Sequence, residues 1–303
     1  MRSELQSSLP HCGSVLGVDV GYSPTRRSSA VCRLDWGEEV VSFRIDRFRA
    51  IEKERVETIR NVIGGKSLLA AAFDGPLRQG LDEIGRYRTA ERLLTRRLQP
   101  WNGKPGQSST PVGKRLNGAA NLCASVVLAA TPVAEARHRY RINDAAICEA
   151  FPTSFLGLLI AEPKALNAQR ADRSDIFYAH LASSGGLTKL INHVLPKGQL
   201  VTSFEGVSNH DGCAAVVCAL TALCVAAGDF TVVGDADGWI VLPPRSLIQP
   251  WAWSHLVANA ARGELAWCEP GVARRWSPVL VKRLGATENA APLSNPPRPA
   301  WSP

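Results

Sequence analysis

The first third of the chain is a succession of short apolar runs cut by turn residues, with one segment of helical period among them. Residues 14–20 (SVLGVDV) are apolar apart from one carboxylate, Asp19, and read as a buried strand. After the turn GYSPTRRSS, residues 30–36 (AVCRLDW) read as a second strand. A tight GEE turn leads to residues 40–48 (VVSFRIDRF), whose alternation predicts a third strand with one solvated face. Residues 51–63 (IEKERVETIRNVI) space their apolar side chains helically, and Gly64–Gly65 stop the helix. Residues 67–76 (SLLAAAFDGP) then form a continuous apolar run, which predicts a central strand buried on both faces and ending at Asp74. Three meandering strands, a helix and a parallel strand beside the first give an α/β fold: an RNase H-like mixed sheet, with three antiparallel strands followed by parallel ones and helices on its flanks. Actin-like kinases share that order.

The middle is less regular. Residues 86–97 read as a basic helix, 101–115 as a polar Gly/Ser/Pro loop near the site mouth, and 121–136 as a largely apolar helix. AAICEAFP (145–152) is a short strand ending near Glu149, and AEPKALNAQRADRSD is a charged connection. HDGCAAVVCALTALCVAAG (210–228) predicts a long apolar helix opened by Asp211, and FTVVG with DGWIVLPP (230–244) predicts a closing hairpin. There is no internal repeat. The simplest division is an N-terminal extension (1–13), one domain (14–285) with a helical and loop insertion around 84–140, and a disordered Pro-rich tail (286–303).

Four acids therefore sit at the ends or starts of apolar elements: Asp19, Asp74, Glu149 and Asp211. Singly, each reads as an N-cap, a turn residue or the partner of a buried arginine. Together they suggest more. Asp19 and Asp74 end parallel neighbouring strands about 4.8 Å apart, so their carboxylates can converge. Like charges that close repel, and a divalent cation relieves the repulsion. Oxygen-only ligands select Mg²⁺ or Mn²⁺, ions that activate water for attack on a phosphodiester. Asp211, in the first turn of its helix, is either a further ligand or a simple N-cap. His210 either orients a water or leaving group or is a polar rim residue.

GVDVG, AAFDGPL, the Arg86–Arg92 segment, EAFPTSF, the Lys164-to-Arg173 connection, HDGCAAVVCALTA and DGWIVLPP follow one another in an order that resembles the predicted nuclease family labelled domain of unknown function 429, over most of residues 14–244. The resemblance implies an RNase H-like fold and a metal-dependent nuclease. Its site would comprise Asp19, Asp74 with Pro76, Glu149 with Pro152, and His210–Asp211, with Asp19, Asp74, Glu149 and Asp211 on the metal. The family often carries a second Asp one helical turn after the His-Asp, where this chain has Ala214. Either Glu149 completes the site or one metal position is weak.

Charge agrees with an anionic partner. The 303 residues carry a formal net charge of +8, which favours nucleic acid, either DNA or RNA. Arg86, Arg92, Lys104, Lys114 and Arg115, with Lys164 and Arg173, are the candidate backbone-holding residues, unless the helical ones form a solvated face paired with Glu83 and Glu91. SSTPVGK lacks the spacing of a P-loop. Trp251, Trp253 and Trp267 either stack bases or cap the core. The eight scattered cysteines show no paired spacing for zinc and read as buried thiols of a reducing compartment. MRSELQSSLP has no signal-peptide core, and the longest apolar stretch is shorter than the ~20 residues of a membrane span. The expectation is a soluble, cytoplasmic metal-dependent nuclease. The rivals are an actin-like ATP-dependent kinase, because GVDVGYS resembles that class's phosphate loop, and a catalytically weak nucleic-acid or effector-binding protein.

Overall fold

The computed structural model describes residues 9–78, 81–85, 87–102, 106–136, 143–166, 172–235 and 237–260. The expected Pro-rich tail lies outside the described residues, as do Arg86, Lys104, Trp267 and Cys268. Strands β1 (Cys12–Asp19), β2 (Ser29–Gly37) and β3 (Val40–Phe48) form an antiparallel meander. Helix α1 (Glu52–Ile63) ends at Gly64, whose left-handed φ of 58° lets its N–H return to the carbonyl of Arg60. Strand β4 (Ala70–Asp74) follows, parallel to β1.

Helices α2 (Thr89–Thr95), α3 (Gln99–Asn102) and α4 (Pro111–Ala130) lead to β5 (Ile147–Ala150), parallel to β4. Next come α5 (Pro152–Gly157), α6 (Pro163–Leu166), α7 (Arg173–Ser183) and α8 (Gly186–Val194). A two-residue strand β6 (Gln199–Leu200) then lies parallel to β3 at the sheet edge. Helix α9 (His210–Ala227), the hairpin β7 (Thr231–Asp235) and β8 (Gly238–Leu242), and α10 (Pro250–Ala260) complete the described chain. The result is a mixed α/β fold whose eight-stranded sheet runs β6-β3-β2-β1-β4-β5-β8-β7, flanked by helices.

One face of the sheet is covered by α9, which lies against β1, β2 and β4, while α1 and α4 pack on the other. Helix α9 is apolar all round because α5, α7 and α8 close over its back, leaving 83% of it buried. By length and composition it could cross a membrane, and here it is the central core helix. Its seat on β1 requires Gly17: a Cβ there would fall 2.0 Å from the Ala219 nitrogen and 2.3 Å from the Ala215 carbonyl oxygen.

Several boundaries differ from those read in the sequence. The basic helix shrinks to Thr89–Thr95, with Arg88 just before it fully buried. The expected loop 101–115 instead contains the start of α4. Thr110 Oγ1 caps that helix by accepting from the Gly113 N–H at 3.0 Å, and Pro111 fits its first turn. Lys114 and Arg115 are thus helical. Arg173 opens α7 rather than lying in a connection. Among the described cysteines, six are buried free thiols and Cys12 is exposed.

Candidate functional site

The register of β1 and β4 places Asp19 directly opposite Asp74. Register partners on parallel neighbours project to the same face of a sheet. Gly17 and Ala72, two residues earlier on each strand, face α9, so both aspartates lie on that side. Asp19 is only 7% exposed. Among the described residues, no hydrogen-bond donor or ion-pair partner reaches either carboxylate. Burial pushes the Asp19 carboxyl well above the usual carboxylate range; Asp74 and Asp211 push it further, and Arg47 opposes them. Asp74 is raised to about 7, by burial first and by the Glu149 charge second, with His210 pulling the other way.

Asp211 joins this group from the first turn of α9. It is not the helix cap. Asn209 takes that place, its Oδ1 accepting from the Gly212 N–H at 2.7 Å. The Asp211 carboxylate is free to accept instead from Arg47 Nη2 of β3, which closes a short ion pair with it and also donates to the carbonyl of Arg27. His210 beside it holds Asp175 of α7 through Nδ1 at 2.8 Å. Burial works against the imidazolium, but the Asp175 hydrogen bond and the charges of Asp175, Asp172 and Asp211 outweigh it, so the His210 pKa rises.

Glu149 is placed differently. Its register partner is Phe73 rather than Asp74, which turns it to the opposite face of the sheet. There it receives Arg88 Nη1 at 2.7 Å, Arg88 Nη2 at 2.6 Å and the Leu77 N–H at 3.0 Å. Its charge is felt at Asp74, but both its oxygens are committed to the guanidinium. Of the readings of an acid at the end of an apolar element, Glu149 follows that of a buried arginine's partner. The metal site expected of four acids is thus narrower. Among the described residues no three His, Cys, Asp or Glu side chains form a metal cage, and the uncommitted donor set is Asp19 with Asp74. A buried carboxylate and a half-buried one, neither with a donor of its own, fit Mg²⁺ or Mn²⁺, which is held by one or two protein carboxylates and completes its shell with water.

The expected phosphate-holding residues divide between two sides. Arg115 stacks its guanidinium over Tyr22, on the loop after β1, at 4.8 Å, with exposed Lys114 beside it. Lys164 lies over the Trp101 ring at 3.7 Å, and Arg173 Nη1 reaches the Gln99 carbonyl at 3.0 Å. Arg92 is half-buried and donates to Thr89 Oγ1. Trp251 and Trp253 are half-buried against the core formed by α2, β7, β8 and α10. Sequence reasoning missed Arg47, whose strand position signals only a solvated face and whose partner lies 164 residues away. A cavity of about 450 Å³ opens beside Arg47, lined also by Arg27, Arg49, Lys53, Asp46 and Glu54.

No family model, no curated protein and no solved structure matches this chain.

Proposed function

We propose that the chain is a metal-dependent nuclease of RNase H-like architecture that hydrolyses nucleic-acid phosphodiester bonds. The observation that carries this reading is the Asp19–Asp74 register: a buried and a half-buried acid, uncommitted to any donor, side by side on adjacent parallel strands. The resemblance of the chain's motifs to the domain-of-unknown-function-429 family points the same way. Asp19 and Asp74 would hold Mg²⁺ or Mn²⁺, which when bound activates water and neutralises charge on a phosphoryl oxygen. Asp211 is kept in place by Arg47, at the rim of the pair. His210, held by Asp175 and near enough for its charge to act on Asp74, would give a proton to the leaving oxygen. Lys114, Arg115, Lys164 and Arg173 supply salt-sensitive contacts to the phosphate backbone.

The test is cleavage of single- and double-stranded DNA and RNA in Mn²⁺ by the wild type, Asp19→Asn and Asp74→Asn. Turnover by the wild type and its loss in both variants, with circular dichroism unchanged, supports the reading; equal cleavage by all three proteins overturns it. A second reading, nucleic-acid binding without turnover, draws on one observation: Glu149 and Asp211 are both spent on guanidinium groups. Tight oligonucleotide binding by a wild type that never cleaves would select it.

A further inference from the structure

We infer that this site takes one divalent cation rather than two, and that the Arg47 guanidinium occupies the electrostatic place of the second. The inference rests on the nuclease reading above and deepens it. Two-ion phosphodiesterase sites hold their cations about 3.5–4 Å apart and need enough carboxylate charge to keep both. Four acids were available from the sequence. The structure commits Glu149 to Arg88 on the far face of the sheet and Asp211 to Arg47 on the near face.

The remaining pair, Asp19 and Asp74, carries two negative charges, which one divalent ion balances. Asp19, nine-tenths buried and without a donor, is the group that demands that ion. A second ion would have to displace Arg47 from Asp211. That guanidinium is held twice, by the carboxylate and by the carbonyl of Arg27.

Arg47 is suited to the substitute role. A guanidinium is permanently charged and offers donors in a planar fork that matches phosphate oxygens. Arg47 lines the 450 Å³ cavity together with Arg27, Arg49 and Lys53.

The experiment is a Mn²⁺ titration of the full chain at pH 8, with free Mn²⁺ followed by electron paramagnetic resonance, so that the readout is stoichiometry and independent of turnover. The wild type is expected to bind one Mn²⁺. Arg47→Gln, which releases the Asp211 carboxylate, is expected to bind two. Arg47→Lys, which keeps the charge, and Asp211→Asn, which removes the third acid, are expected to stay at one. Two ions in the wild type, or one in a folded Arg47→Gln, overturns the inference and leaves the nuclease reading standing. A drop from two to one on Asp211→Asn overturns it equally, without reliance on the arginine variant. No bound Mn²⁺ in the wild type overturns both.

Discussion

The guanidinium of Arg88 and the carboxylate of Glu149 meet in two parallel hydrogen bonds beneath Gly238 of the β7–β8 hairpin, where a Cβ would fall 2.4 Å from Arg88 Nη1. Arg88 also holds Glu91 through Nε at 3.0 Å, so α2, β5 and the hairpin share one buried charge network. Removing one partner strands the other. Glu149→Gln is expected to destabilise the fold by about 3–5 kcal/mol in urea unfolding. Because Glu149 faces away from Asp19, the folded fraction of Glu149→Gln should still bind Mn²⁺.

The acid pair makes a pH signature. Asp74 moves from 3.8 to about 7 on folding, and Asp19 moves in the same direction. A carboxyl raised in the folded state binds its proton more tightly there. Its stabilising contribution is complete below the unfolded value near 4 and is lost as pH rises through the folded value. Metal-free protein is therefore expected to melt at a lower temperature at pH 8 than at pH 5.5. Mn²⁺ should reverse the loss at pH 8 and have little effect at pH 5.5, where the ligands are protonated. In the metal-free protein at pH 8, Asp74→Asn should be stabilising by about 1–3 kcal/mol. Calorimetric scans with and without Mn²⁺ check all of these.

Gly17 and Gly118 separate two uses of glycine. Gly17→Ala sets a methyl against the α9 backbone, which cannot yield as a side chain can, and is expected to cost about 3 kcal/mol or more. Gly118 lies in mid-α4 with open space where a Cβ would go, so Gly118→Ala is expected to stabilise by about 0.5–1 kcal/mol. Chemical denaturation of the two variants measures the contrast.

Arg115 and Lys114 stand exposed at the start of α4, next to the loop that follows β1. Replacing each by alanine should weaken oligonucleotide binding to a similar degree across sequences. Each lost phosphate contact should flatten the dependence of log affinity on log salt by about 1. Fluorescence anisotropy at several salt concentrations reads the slope.

How far the sequence carried depends on how local each feature is. Runs such as VVSFRIDRF and SLLAAAFDGP encode their own burial, and β3 begins and ends at the expected residues. The parallel pairing that sets Asp19 against Asp74 followed from the order of strands and helix. The side to which Glu149 turns did not, because a one-residue shift in register decides which face a strand residue takes. Its arginine partner looked like one of several cations on a solvated helix. The cap Thr110–Pro111 lies inside the segment 101–115, whose glycines and serines read as loop and masked the helix start. Arg47 and Asp211 meet only through the tertiary fold, so no window of sequence shows their pairing.

The cover on β1 has a temporal consequence. Asp19 and Asp74 are synthesised early, whereas α9, which shields their face of the sheet, is encoded in the last third of the chain. Throughout most of translation the nascent sheet therefore presents an uncovered apolar surface, and chains released before residue 210 are natural clients for chaperones and proteases.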